Sequence, residues 1–207
     1  NRVLSKTEML GRLYSCGFRV LEERYIGNRL YIVSEKFREP AYDEDPSYGI
    51  IYPMKRVGKG GKIISVYKFR TMHAYAEYLQ EYIYEKNNLE EGGKFKDDFR
   101  VSRVGRMLRK YWIDELPMIL NVLKGDLKIV GVRPLSRHYL SLYSKELQEM
   151  RKKFKPGLIP PYYVDLPKTM EEIMDSEMRY LKAYQKNPFL TDVRYFLMVF
   201  YTILFKR

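Results

Sequence analysis

The sequence predicts an α+β protein: a mainly helical domain with a small β-hairpin sheet, plus a short N-terminal helix–hairpin appendage. Three observations predict it. Two glycine turn pairs, Gly27-Asn28 and Gly60-Gly61, each stand between strand-like segments. From residue 101 onward the chain shows helical periodicity broken by Gly and Pro. Between the two hairpins runs an acidic stretch, residues 39–47, with Pro40 and Pro46. The appendage and linker are therefore placed at residues 1–46 and the main domain at residues 47–207.

Residues 4–16 read as a helix stopped by Gly17, and residues 18–26 and 30–34 read as strands. Helix plus hairpin resembles half of a winged helix, so a nucleic-acid-binding module stays open beside a plain packing appendage. In the main domain, strands flank Gly60-Gly61, and residues 75–87 suit a helix rich in tyrosine and glutamate. Residues 89–98, with Gly92-Gly93, read as a loop. A basic helix follows over 101–110, with Val101, Val104, Met107 and Leu108 at spacings of three and four on one face. The next helix is expected from Asp114 to Lys124, with Pro117 in its first turn and Gly125 as its stop. Leu127 to Val130 suits a short strand, and residues 139–154 a helix, ended by Pro156-Gly157 and Pro160-Pro161. A further helix over 169–185 opens with Thr169 and Glu172 at capping-box spacing. Thr191 or Asp192 would cap a last apolar helix.

Bulk properties narrow the function classes. Apolar residues make up 45% and charged residues 31%, which excludes global disorder. The net charge of +12 points to a polyanionic partner: nucleic acid, an anionic membrane, or a phosphorylated substrate. One cysteine and two histidines rule out an intrachain disulfide framework and a cysteine- or histidine-rich metal site. No signal-peptide pattern opens the chain at Asn1. The longest apolar run, Tyr195 to Phe205 before Lys206-Arg207, is shorter than the ~20 residues of a spanning helix. It suits an interfacial position.

Three features can carry chemistry. Asp114 and Glu115 stand where a helix should begin, and a helix N-terminus keeps carboxylates ionised and welcomes phosphate. As neighbours there, their side chains would point about 100° apart. Lys68 and Arg70 alternate along Val66 to Met72, so both should lie on one strand face and could hold a diphosphate. Arg133, in Gly131-Val132-Arg133-Pro134, offers a planar fork that matches phosphate oxygens. In isolation each has an ordinary account: a helix cap, a solvated basic strand face, and a turn with a surface arginine.

Together they fall in a familiar order. Lys-Phe-Arg-Thr-Met, Arg-Val-Gly-Arg-Met-Leu-Arg-Lys, Asp-Glu-Leu-Pro, Asn-Val-Leu-Lys-Gly-Asp, Val-Arg-Pro and Pro156-Gly157 resemble the bacterial sugar transferases that initiate surface-polysaccharide synthesis, the monotopic phosphoglycosyl transferases. The resemblance spans about residues 54–160. It implies transfer of a sugar phosphate from a UDP-sugar to a polyprenyl phosphate, usually undecaprenyl phosphate, with Mg2+ and release of UMP. Asp114 would be the nucleophile that forms a covalent phosphosugar intermediate, and Glu115 would hold the metal. Lys68, Arg70 and Arg133 match motif positions near the phosphates. The resemblance also implies the cytoplasmic face of a bacterial inner membrane, and no specific nucleic acid. Where the family has a second proline, this chain has Val132. Ile159-Pro160 followed by Pro161-Tyr162-Tyr163 replaces the family's Thr-Gly, so the acceptor or sugar end can differ. The family's N-terminal re-entrant hairpin is not in these residues, so either it lies upstream or the chain docks differently. An inactive scaffold of the same fold is a further alternative, which the intact Asp-Glu pair argues against.

Overall fold

The computed structural model describes residues 3–41, 49–86 and 98–205. In chain order the elements are α1 (Lys6–Ser15), β1 (Phe18–Ile26), β2 (Arg29–Lys36), β3 (Ile51–Val57), β4 (Ile63–Phe69), α2 (Gln80–Lys86), α3 (Arg103–Lys110), α4 (Met118–Leu123), β5 (Lys128–Val130), α5 (Arg137–Ser141), α6 (Lys145–Lys152), β6 (Gly157–Ile159), α7 (Met170–Lys186) and α8 (Pro188–Phe205). Short 3-10 turns include Ala76–Leu79, Ile113–Glu115 and Pro161–Tyr163. The strands form three two-stranded sheets: β1-β2 and β3-β4 antiparallel, β5-β6 parallel. The α+β class expected from the sequence is thus the class observed. The acidic linker, the Gly92-Gly93 loop and Lys206-Arg207 fall largely or wholly outside the described residues.

The chain divides into two compact units. Asn1–Ile50 and Arg70–Asp114 form the first; Ile51–Phe69 and Glu115–Arg207 form the second. The expected division after residue 46 is one of sequence; in space the helix–hairpin belongs with residues 70–114.

In the first unit, Ser5 caps α1 by accepting from the Glu8 N–H at 3.1 Å. The buried face of α1 presents Leu10 and Tyr14, which pack with Leu79, Tyr82 and Ile83 into one core. Gly11 allows a close approach: a Cβ there would stand 2.3 Å from the Tyr75 carbonyl oxygen. Arg12 lies over the Tyr75 ring at 4.7 Å, and the Thr7 hydroxyl donates to the Phe99 carbonyl at 3.1 Å. The hairpin adds Val20 and Ile32 to this core. Here α1 serves as a packing helix.

Helix α3 turns its apolar face outward. Its apolar stripe does not face inward, since Val104 and Met107 are 62% and 52% exposed. Its contact face is Gly105 instead, where a Cβ would meet the Thr71 carbonyl oxygen at 2.0 Å. Ser102 caps the helix.

In the second unit, α7 and α6 pack over β5 and the chain that follows it. The core holds Val130, Val132, Leu140, Leu147, Tyr180 and Leu181. Thr169 and Glu172 form the expected capping box. Three expectations need correction. The helix expected from Asp114 begins at Met118, because Pro117 disfavours helical geometry in the residue before it and so starts the helix after itself. The helix expected over 139–154 is two helices, since Ser144 accepts from the Leu147 N–H and caps a second one. The last helix begins at Pro188, not at Thr191 or Asp192: Asn187 accepts from the Leu190 N–H, and proline suits a first helical position. Its 18 residues are, by length and composition, long and apolar enough to cross a membrane, with 17% of them buried.

Candidate active site

Strand β4 carries Lys68, paired across the hairpin with Tyr52. Its register is held from the other edge by Asn121 of α4, which is fully buried. The Asn121 amide oxygen accepts from the Tyr67 N–H at 2.9 Å, and its nitrogen donates to the Ser65 carbonyl at 2.7 Å. One side chain thus completes the hydrogen bonding of a strand edge and fixes α4 against β4. Glu115 lies three residues before α4. The Lys68 ammonium donates to its Oε1 at 2.6 Å.

The third member arrives from β5. Backbone bonds hold the chain beyond that strand at several points: Gly131 N–H to the Ile159 carbonyl, Gly157 N–H to the Val132 carbonyl, and Val57 N–H to the Leu135 carbonyl. Arg133 sits within this braced segment. Its guanidinium reaches Glu115 Oε1 at 3.8 Å and donates to the Tyr162 hydroxyl at 3.2 Å. Desolvation opposes the Arg133 charge, yet Tyr162, Glu115 and Tyr163 hold its pKa above the ordinary arginine value.

Lys68, Glu115 and Arg133 line one open cleft, together with Met54, Arg56, Met118 and Tyr163. Arg56 is pushed below its ordinary pKa by desolvation first and by Arg133 second. Three cations around one carboxylate leave the cleft with surplus positive charge, which suits an anionic ligand. Burial, reinforced by Tyr162, raises the Tyr163 pKa, so its phenol stays protonated.

Asp114 and Glu115 share the 3-10 turn Ile113–Glu115, and do not open an α-helix. The chain enters this turn through Trp112 at φ 56°, a conformation that costs a non-glycine residue of order 1 kcal/mol or more. Asp114 is buried, at 8% exposure. Within its own unit it faces Arg109: desolvation lowers the Arg109 pKa, and Asp114 is the first group that opposes this. Arg109 also donates to the Thr71 hydroxyl at 2.9 Å.

The structure therefore brings Lys68, Glu115 and Arg133 together in the second unit and places Asp114 and Arg70 in the first. The expected sharing of one strand face by Lys68 and Arg70 is corrected. Strand β4 ends at Phe69, and Arg70 turns its Nε to the Gly49 carbonyl at 2.9 Å. Sequence reasoning missed Asn121, Arg109 and Arg56 as site-building residues. The Arg56 signal was present: a hairpin closed at Gly60-Gly61 pairs Met54 with Val66 and Arg56 with Ile64, on the face that also carries Lys68.

Among the described residues no three His, Cys, Asp or Glu side chains cluster as a self-contained cation site. A single carboxylate beside a phosphate pocket is nevertheless the share a protein commonly gives to Mg2+, whose remaining ligands are substrate oxygens and water. Glu115 fits that share.

The bacterial sugar transferase family model matches residues 42–206. The chain belongs to that family. This bacterial sugar transferase is 32% identical over 159 residues to the galactosyl transferase CpsE of Streptococcus agalactiae, covering 74% of this chain and 34% of that protein. It is 39% identical over 113 residues to the undecaprenyl-phosphate galactose phosphotransferase of Salmonella typhimurium, covering 52% and 24%. It is 36% identical over 110 residues to the UDP-glucose:undecaprenyl-phosphate glucose-1-phosphate transferase of Caulobacter vibrioides, covering 52% and 38%. The chain thus spans well under half the length of these relatives.

Proposed function

We propose that this chain transfers a sugar 1-phosphate from a UDP-sugar to undecaprenyl phosphate, through a covalent intermediate on Asp114, with release of UMP. The observation that carries the reading is Glu115 held between Lys68 and Arg133 in a cationic cleft, inside the family match. The names of the Salmonella and Caulobacter relatives supply the acceptor, and the latter name supplies a UDP donor.

The chemistry follows from charge. A carboxylate must approach a diphosphate, so fixed cations must offset the repulsion. Lys68 and Arg133 hold the donor phosphates, with Lys68 exchanging Glu115 for a phosphate oxygen. Asp114 attacks the β-phosphorus: an Asp114 O–P bond forms, the bridging O–Pβ bond breaks, and UMP leaves with the electron pair. A phosphate oxygen of the polyprenyl acceptor then attacks the same phosphorus and frees the Asp114 carboxylate. The covalent intermediate divides one hard displacement into two. Mg2+, when bound by Glu115 and the donor oxygens, supplies further charge neutralisation. Arg109 sets a positive charge close to Asp114.

Membrane attachment belongs to the same proposal. Helix α8 buries Thr191, Val199 and Thr202 while exposing Phe189, Leu197, Phe200 and Phe205. Large apolar side chains outward suit an apolar surrounding better than water. With a net charge of +12, the cytoplasmic face of a bacterial membrane is the natural surface. The test is UMP release from a panel of UDP-sugars, with undecaprenyl phosphate in anionic vesicles and with or without Mg2+. The reading predicts metal-dependent release with one or a few sugars. No release from any UDP-sugar by the complete, membrane-bound protein would contradict it.

A further inference from the structure

Helix α7 lies behind the phosphate cleft and touches none of the ligand positions proposed above, yet it reaches the Arg133 segment in three ways. The first is a buried ion pair. Glu177 of α7 is fully buried, and its Oε2 accepts from one terminal nitrogen of Arg151 of α6. The other terminal nitrogen of Arg151 donates to the backbone carbonyl of Arg133. The second is Tyr180, one turn along the same helix, whose hydroxyl donates to Asp192 at 2.7 Å and lies 3.1 Å from the Val130 carbonyl. Asp192 in turn pairs with Lys128 of β5. The third is direct packing of α7 on the Pro161–Tyr163 turn, whose Tyr162 hydroxyl receives the Arg133 guanidinium.

A buried ion pair gains little net stability, because desolvating both charges costs about as much as their attraction returns. A hydrophobic pair would fill the same volume. What the Arg151–Glu177 pair adds is direction. The guanidinium is a rigid planar fork, so fixing one nitrogen on Glu177 fixes where the other can donate. That second nitrogen meets the carbonyl of the one residue in the segment whose side chain reaches Glu115.

We propose that α7 is the positioning element of the phosphate site, and that Glu177 acts on Arg133 through Arg151. The proposal rests on the reading of Arg133 as a phosphate ligand. Glu177 and Arg151 are positioning residues and touch no substrate.

The experiment is a double-mutant cycle read by calorimetric binding of UDP. Glu177→Gln keeps the shape of the side chain and removes its charge. Arg151→Lys can still meet Glu177 but lacks the second arm of the fork. Each should weaken UDP binding on the order of tenfold, as misplacement of a binding group does. In the Arg133→Ala background neither should weaken it further. A purely structural role gives the same fold loss in both backgrounds, and that result would overturn the proposal, as would unchanged UDP affinity in the folded single variants. If Glu177→Gln does not fold, Arg151→Lys decides alone. If the unmutated protein binds no UDP, the donor assignment fails, and positioning is then read by NMR of 15N-labelled arginine. The Arg133 Nε signal, assigned by its loss in Arg133→Lys, should shift in both variants; an unmoved signal would overturn the proposal.

Discussion

The two compact units build their cores from different parts of the chain. The second unit draws its core, from Val130 through Leu181, entirely from residues inside the family match. The first unit does not. Leu10 and Tyr14 precede the match and pack with Leu79, Tyr82 and Ile83, which lie within it. Each unit also buries a charged pair: Arg151 with Glu177 in the second, Arg100 with Asp98 in the first. The second adds a fully buried Asn121 that braces a strand, and the first seats α1 and α3 through Gly11 and Gly105. The boundary of a family match is therefore not a structural boundary: the unit that carries Asp114 depends on residues the family does not define.

The largest effect should come from breaking that dependence. Leu10→Ala removes a fully buried side chain from the first unit and should cost about 2–5 kcal/mol. Hydrogen exchange should rise across residues 76–83 and leave residues 170–186 protected. Leu181→Ala, in the second unit, should show the reverse pattern at similar cost. If Leu10→Ala left 76–83 as protected as before, residues 1–41 would be dispensable and the comparison would fail. A loss of similar size is expected from Asn121→Leu. It strands the Tyr67 N–H and the Ser65 carbonyl, at about 1–3 kcal/mol for each group left unpaired. Activity should fall with stability, because Lys68 follows Tyr67 on the strand that Asn121 holds. A folded Asn121→Leu protein with full activity would show that this brace does not set the site.

Much of this architecture was legible in the sequence, for local reasons. Gly27-Asn28 and Gly60-Gly61 announce their hairpins because turn geometry is written in the turn residues. Thr169 and Glu172 announce α7 because a capping box is a contact across three positions. The rest depended on distance. Strands β5 and β6 have three residues each and pair only because Gly157 comes back beside Lys128. Lys68 and Glu115 stand 47 residues apart, and no periodicity announces their contact. The helix expected at Asp114 fails because Pro117 outweighs the capping tendency of an aspartate three residues earlier. The apolar face read on α3 is exposed at Val104 and Met107, because close packing at Gly105 sets which side of the helix meets the rest of its unit.

A gentler perturbation is pH. Burial, the leading cause in each case, raises the pKa of Tyr143, Tyr163 and Tyr180, all in the second unit. In the unfolded chain these phenols titrate near about pH 10. Above that value the folded state holds more protons than the unfolded state, so stability falls as pH rises, and it is undiminished below. Melting temperature should stay level up to about pH 9 and decline above about pH 10. A level profile throughout that range would mean that these phenols are not held neutral by the fold.

The central claim is that Asp114 and Glu115, neighbours in one turn, have unlike roles. Intact-mass spectrometry with peptide mapping tests it most directly, on the complete protein incubated with a UDP-sugar and Mg2+ before any acceptor is added. The account predicts one added sugar phosphate, mapped to Asp114, lost when polyprenyl phosphate is supplied. Asp114→Asn should show neither adduct nor turnover, because an amide is a poor nucleophile. Glu115→Gln should still form the adduct on Asp114, more slowly and with weaker metal dependence. An adduct on any other residue, or full turnover by Asp114→Asn, would contradict the account.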